Sequence, residues 1–328
     1  MRFEFFDRVG IEIGTARNHE LELRWQLFGP KQTCRGFLPW EIDVRTAPGR
    51  FRPKNAIGFE AAFDDQSLYL LDRQRRAVRL SGDLFGSRIA VEAEPSIDPK
   101  WLTGLLEDLL FLKWVQAGVL PLHAGCVEWA GRCYVCAGWA GTGKTALVLS
   151  AATSGGHAVA DEWSLIVEGR IFPYRCDLLL MPYDIAAFPA AAGVGLMGRL
   201  LVRAHVRLPS RRTDGRRLTP SYGQSSAVDE IIYVQRTTQA PTRLEPLAGE
   251  SLIESLWASF YRERRRLFSV LAWRGLAGFG VDDGQFQLRR WYADAASGLP
   301  QPFRRLYWAV NDDALQALQR LAEQDALL

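Results

Sequence analysis

Lysine is scarce in this chain: only five of its 328 residues are lysine, and none follows Lys144. Arginine supplies most of the positive charge, so a lysine inside a glycine-rich stretch is unusual for this chain and indicates a chemical role. Cysteine is scarce as well, and its five copies are an odd number scattered through a large chain. This count argues against the disulfide framework of a small secreted protein and favours a reducing, cytoplasmic location.

Long uncharged apolar runs are also absent. The most apolar long run, residues 101–118, is interrupted by Glu107, Asp108 and Lys113, and each charge at the centre of a membrane span costs roughly 2.5–3.5 kcal/mol. The run therefore predicts a buried helix and no membrane partner. The N-terminal stretch MRFEFFDRVGIEIG lacks the basic segment and apolar run of a signal peptide, so we expect no export.

Neither sign of charge is in large excess, because 40 lysines and arginines face 37 acidic residues and the formal net charge is +3. This balance predicts no nucleic-acid partner. Two arginine-rich clusters, residues 211–217 and 262–266, could bind phosphate or an acidic partner, but such charge runs are more often solvated faces.

The length allows two domains, and the sequence patterns differ along the chain. Residues 1–95 contain short segments such as GFEAAF, SLYLLD, AVRLSG and SRIAVEAE, which predict a β-rich N-terminal domain without a catalytic constellation. Asp98 and Pro99 are placed to begin a helix that ends near Gly118 and opens the second domain, residues 96–328.

The second domain is predicted to alternate strands and helices. The segments VLPLHAGCVEW and RCYVCAG, with a turn at Ala130 and Gly131 between them, predict a hairpin that leads into a glycine-rich loop. A helix ending near Gly155 and a strand over 157–169 follow the loop. Later segments predict a mobile surface loop at 207–226, a strand at 230–236, a helix at 250–266, strands at 285–292 and 304–310, and a final helix capped by Asn311.

One motif carries a specific chemistry. Consecutive residues match the pattern G-x-x-x-x-G-K-[ST] in full. In this pattern glycines let backbone N–H groups cradle phosphate oxygens, the lysine neutralises the β and γ oxygens, and the threonine hydroxyl meets Mg²⁺. The alternative, a glycine turn with an incidental lysine, is disfavoured by the predicted strand before the motif and the helix after it. The motif predicts a site for a triphosphate and Mg²⁺ formed by Gly138, Ala140, Gly141, Thr142, Gly143, Lys144 and Thr145.

A pair of acids follows the motif at a short spacing. Asp161 and Glu162 end the apolar stretch HAVA, 17 positions after Lys144. Carboxylates at a strand end are placed to hold the metal of a bound triphosphate. The alternative interpretation is an N-cap or a solvated turn pair.

Two further residue types could be functional. His123, one hairpin before the loop, is by position alone a structural histidine. Cys133 and Cys136 form a C-x-x-C, but residues three apart on a strand face opposite sides and cannot readily share a zinc ion. Packing is the simpler interpretation for both cysteines.

The segments LHAG, GWAGTGKT and GHAVADEW, within residues 119–166, resemble the catalytic core of HPr kinase/phosphorylase and of related kinases from peptide-maturation clusters. The resemblance implies an α/β fold with a P-loop kinase core of the HPr kinase/PEP carboxykinase type, preceded by a small β-rich domain. It implies that Lys144 and Thr145 hold phosphates and Mg²⁺, that Asp161 is the base on the accepting hydroxyl, and that Glu162 helps to bind the metal. His123 would support the site near the phosphate.

The chain departs from the family pattern in three places. The second acid is Glu162 where the family usually has Asp, and residues 191–199 match the signature of the reverse, phosphorylase reaction poorly. No lysine follows the motif, so a second positive clamp on the transferring phosphate must be arginine. The candidates are Arg175, Arg211, Arg212, Arg216 and Arg217.

The resemblance therefore implies an ATP- and Mg²⁺-dependent transfer to a hydroxyl, with a serine of a peptide or protein as the first choice of acceptor. The C-terminal serine of a lasso precursor peptide is one such acceptor. Two alternatives stay open: a small-molecule hydroxyl kinase and a non-catalytic nucleotide-sensing or partner-binding protein. The sequence does not rank metabolite against peptide, and it leaves a homo-oligomer open.

Overall fold

The computed structural model of the protein describes most of the chain. The described part is a mixed α/β structure with an eight-stranded mixed sheet, a nine-stranded mixed sheet, a two-stranded pair and six helices. The predicted α/β class is confirmed at this level. The described residues are 2–6, 8–13, 40–53, 55–57, 60–174, 177–180, 182, 211–214, 224–238, 241–276, 284–309 and 312–325.

Elements are numbered in chain order. The strands are β1 (Arg2–Phe5), β2 (Val9–Ile13), β3 (Trp40–Thr46), β4 (Asn55–Ile57), β5 (Ala61–Phe63), β6 (Ser67–Leu71), β7 (Ala77–Ser81), β8 (Arg88–Ala93), β9 (Leu120–Trp129), β10 (Arg132–Ala137), β11 (His157–Ala160), β12 (Trp163–Val167), β13 (Arg170–Pro173), β14 (Asp177–Leu180), β15 (Arg211–Asp214), β16 (Ser226–Ala227), β17 (Glu230–Thr237), β18 (Arg243–Pro246) and β19 (Phe303–Ala309). The helices are α1 (Pro99–Gln116), α2 (Lys144–Thr153), α3 (Gly249–Glu263), α4 (Arg265–Leu276), α5 (Gly284–Ser297) and α6 (Ala314–Asp325).

The chain forms two compact units. The first contains the described parts of Met1–Gln26, Pro30–Val119 and Tyr261–Ala295, and the second contains those of Leu120–Phe260 and Ala296–Leu328. The first unit therefore includes α1 and α4 together with the N-terminal strands. The predicted domain boundary near residue 95 stays a prediction.

The first unit is built on the eight-stranded sheet. Its strand order is β1-β2-β3-β8-β7-β6-β5-β4, with parallel pairing at β2–β3 and β3–β8 and antiparallel pairing elsewhere. The four strands predicted between residues 58 and 94 are confirmed as β5 to β8. Buried positions alternate along β8, at Ile89, Val91 and Ala93, whereas all five residues of β6 are buried.

The second unit is built on the nine-stranded sheet, whose order is β16-β13-β12-β9-β10-β17-β19-β18, with β11 also paired to β9. Its centre is parallel: β10 pairs with β17 and β17 pairs with β19, so the carboxyl ends of these strands share one edge. The helices α2 and α6 pack on one face. The core they bury includes Tyr134, Cys136, Leu147, Val148, Ile232, Val234, Leu306, Leu318 and Leu321.

Residues 285–292 were predicted to be a strand, and this prediction is wrong. They lie in α5, where Leu288 and Tyr292 are buried and Arg289 and Arg290 are exposed. A spacing of four between buried positions is that of one helix face. The apparent alternation of Phe286 and Leu288 was misleading because Phe286 is exposed.

The helix predicted at 250–266 is interrupted at Arg264, which separates α3 from α4. The Arg264 guanidinium lies 3.6 Å above the Phe111 ring and donates to Asp108 at 3.3 Å. Arg266 also donates to Asp108, at 2.6 Å. These two arginines of the 262–266 cluster therefore hold α1 instead of forming a solvated face.

Two other predictions, the cap of the final helix and the loop at 207–226, were only partly tested or differ in part from the structure. The final helix begins at Ala314, and Asp313 accepts a hydrogen bond from the Gln316 amide at 2.7 Å, as a capping residue does. The predicted cap, Asn311, lies outside the described residues. Within the predicted loop at 207–226, Arg211–Asp214 form β15, which pairs with β14.

The predicted buried helix is confirmed as α1. Asp98 accepts a hydrogen bond from the Lys100 amide at 2.9 Å and Pro99 occupies the first turn, as the sequence indicated. All residues from 108 to 115 are buried, and no described helix is long and apolar enough to cross a bilayer.

Lys113 of α1 is completely buried, with 0 % of its surface exposed. Its ammonium donates to the carbonyls of Leu84 (2.7 Å) and Gly86 (2.6 Å) and to Oε1 of Gln116 (2.9 Å). Burial lowers the pKa of this lysine to about 7. A charge inside the apolar run is thus tolerated because every donor of the ammonium has an oxygen partner.

We expect Lys113→Met to lower the free energy of unfolding by several kcal/mol, because each buried acceptor left without a donor costs about 1–3 kcal/mol. Lys100→Met, an exposed position of the same helix, is the matched control and should cost little. Urea unfolding of both variants measures the difference. Equal stabilities would show that the lysine does not hold these carbonyls.

Candidate active site

The glycine-rich loop is presented by a hairpin. β9 and β10 pair antiparallel, with Trp129 opposite Arg132, and the turn residues Ala130 and Gly131 both have positive φ, 51° and 79°. This two-residue turn is confirmed as predicted. β10 then runs directly into residues 138–143, at the shared carboxyl edge of the parallel strands.

Two glycines of the motif are required by close contacts. A Cβ on Gly138 would lie 2.6 Å from the carbonyl oxygen of Val234, and one on Gly143 would lie 2.5 Å from Cζ3 of Trp308. Gly143 also has a φ of 94°, in the left-handed region that favours glycine. The intervening residues Ala140, Gly141 and Thr142 form the outer part of the loop, where the Thr142 hydroxyl donates to the Trp139 carbonyl at 2.8 Å.

Lys144 is the first residue of α2 and is only 5 % exposed. Its ammonium donates to the carbonyls of Gly138 (2.9 Å) and Trp139 (2.7 Å), so it folds back across the loop. The preceding residue, Gly143, gives α2 no side-chain cap. The amide groups of the first turn and the positive end of the helix dipole are therefore directed to this loop.

Asp161 meets the start of α2. The Thr145 hydroxyl donates to Oδ2 of Asp161 at 2.9 Å. The single strand predicted over 157–169 is in fact two strands, β11 and β12, which end and begin on either side of Asp161 and Glu162. Glu162 has a φ of 63°. Its carbonyl accepts a hydrogen bond from the Ala124 amide of β9 at 3.0 Å, so the chain stays bonded to β9 where the two acids interrupt the strand.

The second carboxylate oxygen of Asp161 has an unusual environment. Asp161 is 1 % exposed, and its Oδ1 is buried without a hydrogen-bond partner among the described residues. Burial raises the pKa of Asp161 to about 7, and the Thr145 hydroxyl and the Lys144 charge oppose that rise. A carboxylate oxygen and a threonine hydroxyl are oxygen ligands that suit Mg²⁺. The backbone N–H groups of an uncapped helix start suit a phosphate.

Gly125 of β9 makes this approach possible. A Cβ there would lie 2.8 Å from Cγ2 of Val148 and 3.2 Å from both Oδ1 of Asp161 and the carbonyl oxygen of Lys144. Any larger residue would separate α2 from the acid. Sequence reasoning gave Gly125 no role, although it is the glycine of LHAG and so could have been singled out.

His123 lies two residues before Gly125 on the same strand. Its ring stacks on Trp163, the residue opposite on β12, with centroids 5.5 Å apart and an interplanar angle of 22°. Trp163 in turn meets the edge of Phe260 at 6.3 Å, and the His123 carbonyl accepts a hydrogen bond from the Gly138 amide at 3.4 Å. His123 thus belongs to an aromatic group beside the loop, and its catalytic role stays a prediction.

The remaining predicted residues are the candidate clamp arginines and the cysteines. Arg175, Arg216 and Arg217 lie outside the described residues, and Arg211 and Arg212 lie in β15. Cys136 is in the core under α2, whereas Cys133 faces Cys126, with 3.4 Å between the sulfur atoms. The described residues contain no cluster of three or more potential metal ligands.

Comparison with known proteins adds no family to this geometry. No protein-family model matches the chain, and no curated protein matches it. The resemblance described above therefore rests on the motif residues themselves.

We expect Gly125→Ala to lower the free energy of unfolding by about 1–3 kcal/mol, since an added methyl group in a packed site forces its neighbours apart. Gly49→Ala is the matched control because a Cβ at Gly49 meets nothing within 4 Å. Denaturant titration measures both variants. If the two are equally stable, the packing of Asp161 and Val148 against Gly125 is not tight.

Asp161→Asn should change how stability depends on pH. The pKa of Asp161 rises from 3.8 to about 7 on folding, so between these values the folded state binds more protons than the unfolded state, and wild-type stability falls as the pH rises. Without metal or nucleotide, the variant should exceed the wild type at pH 8 by several kcal/mol, at about 1.4 kcal/mol per pKa unit. This gain should vanish near pH 4.

Urea unfolding in a chelator measures the effect, with the exposed Asp65→Asn as control. The free energies of unfolding of Asp161→Asn and the wild type are compared from pH 4 to pH 8. A constant difference over this range would contradict the burial of a carboxylate that has one oxygen without a hydrogen-bond partner.

Proposed function

We propose that this chain is an ATP- and Mg²⁺-dependent kinase that transfers the γ-phosphoryl group to a hydroxyl, with a serine of a peptide or protein as acceptor. The observation that carries the proposal is the contact of Thr145 with Asp161 at the uncapped start of α2. It places the motif hydroxyl, the helix dipole and a buried carboxylate around one point, next to Lys144.

The cation-binding residues follow from this arrangement. Thr145 and Asp161 offer oxygen ligands, and Glu162 is adjacent in the interrupted strand. Magnesium, when bound with the nucleotide, neutralises charge on the β and γ phosphates. Lys144 would leave the Gly138 and Trp139 carbonyls and turn to the phosphate oxygens, while the loop amides cradle them.

The transfer itself requires orientation and one proton acceptor. Asp161 orients the acceptor hydroxyl and takes its proton as the new bond between the hydroxyl oxygen and the γ-phosphorus forms. The bond between the γ-phosphorus and the oxygen bridging it to the β-phosphate breaks, and ADP leaves with that oxygen. The aromatic group formed by His123, Trp163 and Phe260 lies beside the loop and would bound the acceptor.

The proposal predicts transfer of label from γ-labelled ATP in the presence of Mg²⁺. Asp161→Asn should keep ATP affinity within a few-fold and lower transfer by about 10²–10⁴-fold, since it removes the base. Lys144→Ala should weaken both binding and transfer. Lys100→Ala, an exposed lysine in α1, should change neither.

The acceptor panel should contain serine-ended peptides, HPr and common polyols. Label on a peptide or protein hydroxyl supports the proposal, and label on polyols alone identifies a small-molecule kinase instead. Unchanged transfer by Asp161→Asn would refute its role as base. Binding of ATP without transfer to any acceptor would favour a nucleotide sensor.

A further inference from the structure

Arg236 lies close to the glycine loop although it is distant from it in sequence. Ala137, the last residue of β10, pairs with Tyr233 of β17, and Arg236 is three residues further along β17. Because β10, β17 and β19 are parallel, Arg236 lies on the same carboxyl edge as the loop. Ligands of open α/β sheets bind at such an edge.

An aromatic ring links Arg236 to the loop. Arg236 of β17 is the register partner of Trp308 in β19. Its guanidinium carbon lies 4.2 Å from the centroid of the Trp308 ring. The same ring touches Gly143, where an added Cβ would meet Trp308 at 2.5 Å. One indole therefore separates the guanidinium from the start of α2.

Trp308 is itself fixed in place. It is 3 % exposed, and its indole N–H donates to the carbonyl of Asp312 at 3.0 Å. Arg236 donates to the carbonyl of Ala309 at 3.4 Å. The arginine is thus stacked and anchored by the elements that surround the loop, which reduces the entropy lost when it binds a ligand.

The electrostatics at this edge favour an anion. The positive end of the α2 dipole has no side-chain cap, and Lys144 and Arg236 add two cations near it. At α6, by contrast, Asp313 caps the helix. Burial lowers the pKa of Arg236, and Asp312 partly opposes that effect. Two cations therefore lie near the uncapped start of α2, where the neighbouring acids are Asp161 and Asp312.

We propose that Arg236 is the second cation of the nucleotide site and contacts the phosphate oxygens of the triphosphate together with Lys144, with Trp308 as its positioning residue. This inference rests on the proposed function, since it assigns a ligand to the same loop. It also accounts for the second positive clamp in a chain that has no lysine after Lys144. A planar guanidinium suits phosphate oxygens because it can donate two parallel hydrogen bonds.

The test compares two arginines that stack on neighbouring residues of β19. Arg243 lies 4.3 Å from the ring of Tyr307, next in sequence to Trp308 but on the opposite face of the sheet, and it pairs with Glu245. Arg243→Gln therefore removes a stacked arginine away from the loop. It is the matched control for Arg236→Gln.

The experiment measures the dissociation constants of ATP and of tripolyphosphate, both with Mg²⁺, by calorimetry. Arg236→Gln should weaken both ligands by about tenfold or more, since a hydrogen bond to a charged group is lost. Arg236→Lys should lose less, because it keeps the charge but not the planar fork. Arg243→Gln should bind both ligands as the wild type does.

The outcomes separate the two proposals. A wild type that binds both ligands, with Arg236→Gln binding them equally well, overturns the role of Arg236 alone. Weakening of ATP but not of tripolyphosphate would mean that the guanidinium contacts the base, which also overturns it. A wild type that binds neither ligand removes the proposed function and this inference together. If Arg236→Gln does not fold, the lysine variant decides by the same comparison.

Discussion

The hydrogen bond between the Thr145 hydroxyl and Asp161 is the contact on which the second unit's loop region depends. It joins the first turn of α2 to the residue that follows β11. The bond is possible because Gly125 has no side chain between them. It also holds the Asp161 carboxylate in a buried position, where Oδ1 accepts no hydrogen bond from the described residues. The contacts that pack α2 against Gly125 of β9 therefore also set the position of the Asp161 carboxylate in the candidate site.

β9 provides the platform for this arrangement. Its first half pairs with β12 and its second half with β11, while β10 lies along its other side. The interruption at Asp161 and Glu162 falls opposite the middle of β9, where Gly125 lies. A single ten-residue strand therefore sets the position of the loop, of the acid and of the aromatic group around His123.

The sequence was most informative where short-range rules dominate. The cap at Asp98, the turn at Ala130 and Gly131, and the order of strand, loop and helix around Lys144 each depend on a few adjacent residues. The errors arose where distant partners decide. The break at Arg264 depends on Asp108, some 156 positions away, and the place of Arg236 depends on strand order, which periodicity alone does not reveal. The buried oxygen of Asp161 could be located only in three dimensions.

The hydrogen bonds of Lys144 have a consequence for ligand binding. Its ammonium is already satisfied by the Gly138 and Trp139 carbonyls, so any ligand that draws it away must replace two existing bonds. Binding at the loop is then an exchange, and the affinity measures a difference between two hydrogen-bonded arrangements. In the proposed nucleotide complex, the several adjacent charges of the phosphate chain would have to offset the loss of these two bonds.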